Sequence, residues 1–282
     1  MTSFTVKNFS LSAIAESGQV FTWQAIQKAN ATSYLIASSQ QQCVAQQIGT
    51  TLSLRQPDGS ELSAREANYW HHYLALDDNY ALMQAELIAS GLLKQEVLET
   101  QQGIRVLYQN WWDVAVSFVI SQNSSITRIQ HTMDLLMKQG NPVGCVPTAS
   151  RLLEILGDET LCATLKLGYR KPYLESLATQ VVRGWQPLSL SRPYAALSTQ
   201  IAEFQTLPGI GPKVASCICL YGLGYLEAVP RDTWIKKAER DYGFVWHERL
   251  GGVQQQFVFA WMREQAKRNM PSKTALPSGS ET

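Results

Sequence analysis

The chain is 282 residues long, 45% hydrophobic and 17% charged, which is enough for two domains with real cores. Its net charge is only +1, too weak to mark a strongly basic polyanion binder, and no run approaches the ~18 apolar residues that a membrane span needs. The charge is nonetheless uneven, with 5 basic and 9 acidic side chains in residues 1–100 against 19 and 14 in residues 101–282.

From residue 4 to 63 the chain is built of short apolar alternations: FTVKNFSL, VFTWQAI, SYLIASS, CVAQQIG and TLSLRQ, with turns such as Asp58-Gly59 between them. This pattern predicts an antiparallel sheet. From Glu66 the spacing lengthens to a helical period, predicting helices over 66–76, 80–91, 114–120, 125–138, 149–156, 160–167 and 172–183. Residues 253–268 predict a final long helix, and 271–282 (PSKTALPSGSET) a disordered tail. Trp111-Trp112 reads as core. The expected class is α+β. An N-terminal β-rich unit with flanking helices spans 1–100, a mostly helical region in two subdomains spans 101–270, and the tail spans 271–282.

Five cysteines, Cys43, Cys145, Cys162, Cys217 and Cys219, form neither a disulfide framework nor a C-x-x-C pair. Their odd number, with no N-terminal apolar or transit-like stretch, predicts a reducing cytosol, bacterial rather than organellar. His71, His72, His131 and His247 lack metal spacing, so no metal is expected.

The most informative stretch is LPGIGPKVASCICLYGLGYLEAVPRD, residues 207–232. Gly209 and Gly211 flank Ile210 in a tight turn that only such small residues can make, and Pro212 follows at a first helical position, where its missing N–H costs nothing. With a first helix over 194–204, carrying apolar Tyr194, Leu197, Ile201 and Phe204, this predicts a helix-hairpin-helix at about 194–223. The second helix would aim its free N–H groups and positive end out of the turn, which suits a phosphate of nucleic-acid backbone. Lys213 and Cys217, four apart, share a face. Asp232 stands after Pro230 as a helix N-cap. An amine and a carboxylate at two helix starts could face one cleft, where the amine opens a sugar carbon and the carboxylate stabilises the developing positive charge. A free lysine titrates near ~10.4, so such a nucleophile must shed a proton first. On spacing alone, a solvated lysine near a capping aspartate reads the same way.

LPGIGPKVASCICL followed by VPRDTW resembles the helix-hairpin-helix DNA glycosylase superfamily, and within it the 8-oxoguanine DNA glycosylases of the eukaryotic type. The likeness extends, in the family's order, to GQVFTW (18–23), SFVISQNSSITRI (117–129), LGYRKPYL (167–174) and GVQQQFVFAW (252–261). The resemblance implies a bifunctional glycosylase/AP lyase without cofactor, acting as a monomer on double-stranded DNA with 8-oxoguanine opposite cytosine. It implies Lys213 as the nucleophile that attacks C1′ and forms a Schiff base, and Asp232 as the carboxylate that stabilises the departing transition state. Cys217, Gln255 and Phe259 match the pocket for the flipped base, with Gly18 supplying the carbonyl that accepts the N7–H of 8-oxoguanine. Asn123, Arg128 and Arg170 match residues that hydrogen-bond the orphaned cytosine, and Tyr169 the ring that fills the vacated stack. Gly209, Ile210, Gly211, Val214 and Trp234 fall on the backbone-gripping positions.

Taken singly, these residues have plainer readings: Asn123 as a loop cap, Arg128 and Arg170 as surface cations, Tyr169 as a half-buried core ring. Two departures stand out. Only Asn123 remains of three consecutive asparagines common in the family, with Ser124 and Ser125 after it. Trp234 replaces a phosphate-contacting histidine, and an indole N–H donates without carrying charge. No cysteine follows Cys219, which excludes the four-cysteine iron–sulfur loop of related glycosylases. Two other functions stay open: a monofunctional glycosylase for alkylated bases, which Lys213, Gln255 and Phe259 argue against, and a non-catalytic DNA-binding module, which Asp232 and the pocket set argue against.

Overall fold

The computed structural model describes residues 2–28, 31–192 and 195–268. The expected tail (271–282) and Tyr194 lie outside the described residues. Among these, strands β1 (Thr2–Thr5), β2 (Gln24–Lys28), β3 (Ala31–Ser38), β4 (Gln41–Ile48) and β5 (Thr51–Arg55) form an antiparallel sheet in the order β1-β5-β4-β3-β2. Alternation decides which face is covered: Ile36, Cys43, Ala45, Leu52 and Leu54 are buried. They share one core with Leu11 and Ile14 of helix α1 (Leu11–Glu16) and with Trp70 and Tyr73 of α2 (Ala64–Tyr73).

Two strand expectations need correction. FTVKNFSL pairs only as far as Thr5; Asn8 then takes a positive φ of 49°, and the chain turns into α1, capped by Ser10, whose Oγ accepts from Ala13 N at 3.2 Å. One and a half helical turns are too short to show a period, so the apolar residues read as strand. VFTWQAI is strand only from Gln24, because Gly18 at φ 81° reverses the chain and Val20 and Phe21 turn inward. In the helical part, α3 (Tyr80–Ala89), α5 (Trp111–Ile120), α6 (Ile126–Met137), α7 (Ala149–Gly157), α8 (Glu159–Leu165), α9 (Lys171–Val182) and α14 (Gly251–Arg268) fall where periodicity puts them. The short α4 (Gln95–Thr100) and α10 (Leu188–Ser191) were not anticipated, for the same reason as α1.

The second core centres on α5, whose sequence WWDVAVSFVI is apolar nearly all round and buried nearly all round. Trp112 is buried and Trp111 packs edge-on against it and against Trp185. Around α5 sit α6, α9, α12 (Pro212–Cys217) and the wide π turn Ile218–Gly222 that continues α12, with α11 (Leu197–Phe204) packed on these last two. Helix α13 (Thr233–Tyr242) follows and packs on α14.

Candidate active site

The turn joining α11 to α12 is set by one obligatory glycine. Gly209 has φ 83°, and a Cβ there would lie 2.1 Å from Cγ of Tyr173, so no side chain fits. Gly211 is different: φ is −85°, ψ is 178°, and a Cβ would meet nothing within 4 Å. The expectation that both glycines are needed to make the turn is therefore corrected; Gly211 is the bare N-cap of α12. Pro212 opens that helix as expected. Ile210 is buried and its N–H already donates to Leu207 O at 3.1 Å, while Val214 is buried too, so these two side chains seat the turn in the core.

Lys213 projects from the first turn of α12, its Nζ 4.7 Å from the centroid of the Phe118 ring. Phe118 stacks on Tyr221 and takes Phe21 edge-on, which makes an apolar floor. Cys217 lies one turn beyond Lys213, and burial pushes its thiol up to about 11, an effect that the nearby Lys213 charge opposes. Asp232 caps α13: its Oδ1 accepts from Ile235 N at 2.9 Å. Burial raises its pKa above the ordinary carboxylate value, an effect opposed by the Ile235 N–H and by the charges of Lys213 and Arg263. The two helix starts thus hold an amine and a carboxyl within electrostatic reach of each other.

They border one cleft of about 870 Å³, walled also by Gly18, Phe21, Phe118, Asn123, Trp234, Phe259 and Arg263. Phe259 lies against Gly18, whose added Cβ would come within 2.9 Å of Phe259 Cε1. Cys217 and Gln255, placed by resemblance in a base pocket, are covered (1% and 3% exposed) and sit behind the open wall. Gln255 Oε1 is buried without a hydrogen-bond partner among the described residues. Such an orphan acceptor costs roughly 1–3 kcal/mol unless a ligand donates to it.

At one rim, Asn123 adopts φ 48°, a left-handed conformation asparagine tolerates. Ser125 is the N-cap of α6, its Oγ accepting from Arg128 N, so this departure from the asparagine run has a structural use. Gln122 links the rim to the hairpin, its Nε2 donating to Gly209 O at 2.9 Å. Arg170 corrects its plain reading: it is 7% exposed, not a surface cation, and donates through Nε and Nη2 to Gln122 O, through Nη2 to Asn123 O and through Nη1 to Leu167 O. Tyr169, 48% exposed, is not a core ring; its hydroxyl donates to Gln122 O, and the Arg170 guanidinium lies over its face. Arg128 is exposed and lies outside the cleft wall. Sequence reasoning missed Phe21, Phe118, Gln122 and Arg263. Of these, Arg263 had a legible signal, standing one helical turn after Phe259 on the same helix.

The family of the 8-oxoguanine DNA glycosylase N-terminal domain matches residues 1–114. The N-glycosylase/DNA lyase OGG1 of Arabidopsis thaliana is 30% identical over 158 residues, which cover 52% of this chain and 43% of that protein. The N-glycosylase/DNA lyase of Saccharomyces cerevisiae is 30% identical over 160 residues, 50% and 42% of the two chains. The chain thus matches less than half the length of these curated relatives. The 8-oxoguanine glycosylase/lyase of Clostridium acetobutylicum, solved with double-stranded DNA containing cytosine opposite 8-oxoG, superposes with a TM-score of 0.80 at 26% identity, covering 93% of this chain and 94% of that one. In sequence over its first 114 residues and in fold over nearly its whole described length, the chain resembles the 8-oxoguanine DNA glycosylases of the helix-hairpin-helix superfamily.

Proposed function

We propose that this chain is a bifunctional DNA glycosylase/AP lyase that excises 8-oxoguanine opposite cytosine. The observation that carries the reading is the placing of Lys213 and Asp232, from two helix starts, on one cleft with Phe259 and Gly18. The resemblance to a glycosylase/lyase solved on such DNA supports the substrate. The damaged nucleotide is flipped out of the duplex into the cleft, at an unstacking cost of a few kcal/mol. The neutral Lys213 amine attacks C1′, the glycosidic bond breaks, and its electron pair leaves with the base, which takes up a proton. Asp232, as carboxylate, stabilises the positive charge that grows on the sugar. The C1′–O4′ bond then opens to leave a Lys213 Schiff base, loss of a C2′ proton expels the 3′ phosphate, and water finally frees the lysine.

Base recognition follows from the pocket chemistry. The orphan Gln255 Oε1 suits the N1–H and N2–H donors of a guanine-type edge, and Phe259 offers a face for stacking. Because Phe259 now rests on Gly18, a purine held between Phe259 and Cys217 requires that ring to shift. The grip on the orphaned cytosine falls to Asn123, Arg128 and Arg170, with Tyr169 as the inserted ring. Arg170 must give up part of its hold on the 122–123 carbonyls to reach a base.

The test is incision and borohydride trapping on duplexes carrying 8-oxoguanine opposite each of the four bases. Lys213→Gln should bind lesion DNA yet lose base release by about three orders of magnitude or more and give no trapped adduct. An adduct that survives this substitution removes Lys213 from the role of nucleophile, and a native protein that gives neither base release nor adduct favours a non-catalytic binding module.

A further inference from the structure

Residues Glu16 to Gln19 carry the chain from the end of α1 into the cleft wall, and their backbone carbonyls are treated unequally. Glu16 O accepts from Nη1 of Arg263 at 2.8 Å. Ser17 O accepts from Nε2 of Gln256 at 2.9 Å, and Gln19 O from Nε2 of Gln109 at 2.9 Å. Gly18, between them, lines the cleft, and its carbonyl receives no donor among the described residues. The clamps are themselves held: Gln256 Oε1 accepts from the Tyr221 hydroxyl at 2.6 Å, and the Arg263 guanidinium lies 5.6 Å from the centroid of Phe259. The Gln19 side chain ties the same segment to Arg105 O and Leu107 N. Gly18 meanwhile needs its φ of 81° and cannot carry a Cβ against Phe259.

We infer that Arg263, Gln256 and Gln109 are specificity-determining positioning residues, which fix the Gly18 carbonyl as the one open acceptor of this segment. The inference rests on the function proposed above and extends it to residues that act through the backbone of 16–19. A purine whose N7 carries a hydrogen donates to that carbonyl. An intact guanine brings a lone pair to the same point, and repulsion follows only if the carbonyl cannot turn away. With the carbonyls on both sides anchored from two other segments, rotation of the Gly18–Gln19 peptide is hindered. A loosely held carbonyl could swing out, so that both purines would be held alike. Discrimination is thereby assigned to the rigidity of the segment as well as to the presence of the acceptor.

The experiment compares three single-turnover rates with the native protein, Arg263→Met, Arg263→Lys and Gln256→Met. They are release of 8-oxoguanine opposite cytosine, release of guanine at the same position, and cleavage of a preformed abasic site, which requires no base. In both methionine variants the ratio of 8-oxoguanine release to abasic-site cleavage should fall about tenfold, the scale of one misplaced buried hydrogen bond. The ratio of 8-oxoguanine to guanine release should fall with it. Arg263→Lys, which keeps a donor, should recover much of the loss. Ratios within about twofold of the native protein in both methionine variants would overturn the inference. Should Gln256→Met fail to fold, Arg263→Met decides the matter alone. A native protein that cleaves abasic sites but never releases 8-oxoguanine refutes instead the function on which the inference stands.

Discussion

At the scale of single residues, the chemistry depends on how environment sets protonation. Asp232 is a helix cap whose ionisation burial opposes, and the proposed reaction uses it as a carboxylate. Base release should therefore fall on acidification with an apparent pKa above the ordinary ~3.9 of aspartate. Asp232→Asn should lack that acidic limb and run about 10²-fold slower, the lower range for a group acting on a developing charge. A pH–rate profile of single-turnover excision checks both points, and an unchanged acidic limb in the variant removes Asp232 from the role. The Cys217 thiol, raised to about 11 by burial, stays neutral across the working range, which suits the apolar part proposed for it beside the base.

Among the elements, the helix-hairpin-helix turn is the most constrained. Its conformation rests on Gly209, whose positive φ and contact with Tyr173 leave no room for a methyl group. Gly209→Ala should cost about 1–3 kcal/mol from backbone strain and more from the clash, read as a lowered denaturation midpoint. Because Gly209 O is also the acceptor for Gln122, the change should pull the 122–123 rim out of register and weaken DNA binding. Gly211→Ala, at an open and extended position, should leave stability within about 0.5 kcal/mol. Equal losses in the two alanine variants would contradict this division of labour. Helix α5 connects the scales: Phe118 on it forms the floor under Lys213, and its C-terminal end leads directly into Gln122 and Asn123.

Over the whole molecule, the joint between sheet and helices runs through Asp113, in the first turn of α5. Its Oδ2 accepts from Ser39 N at 2.9 Å and from Ser38 Oγ at 3.2 Å, both at the β3–β4 turn. Burial raises this carboxyl to about 7. The folded protein therefore holds a proton that the unfolded chain has released above about pH 4. Stability from this group is fully present below the unfolded value and is lost as pH rises through about 7. Native stability should accordingly fall between about pH 4 and 7, and Asp113→Asn should flatten that slope. Parallel slopes in chemical denaturation of the two proteins would exclude Asp113 as the source. The small net charge of +1 makes a second whole-molecule point: DNA affinity should depend on salt, but not steeply, since the basic excess is small even in residues 101–282, with 19 basic side chains against 14 acidic.

Much of this was legible in the chain itself. Alternation gave the sheet, period gave the long helices, and the Gly-x-Gly-Pro-Lys run with the distant Pro-Arg-Asp marked the two helix starts, because those signals are local and each is stated within a few residues. Short helices such as α1 were not legible, since six residues carry no period and only packing on the sheet makes them helical. The burial of Arg170, the cover over Cys217 and Gln255, and the separate fates of Gly209 and Gly211 depend on partners many residues away. So do the clamps on residues 16–19, whose donors come from positions 109, 256 and 263. Residue type alone determined which groups could react; tertiary contact decided which of them are exposed, which are held, and which single carbonyl of residues 16–19 is left open, because hydrogen bonding and burial are settled by what the folded chain brings alongside.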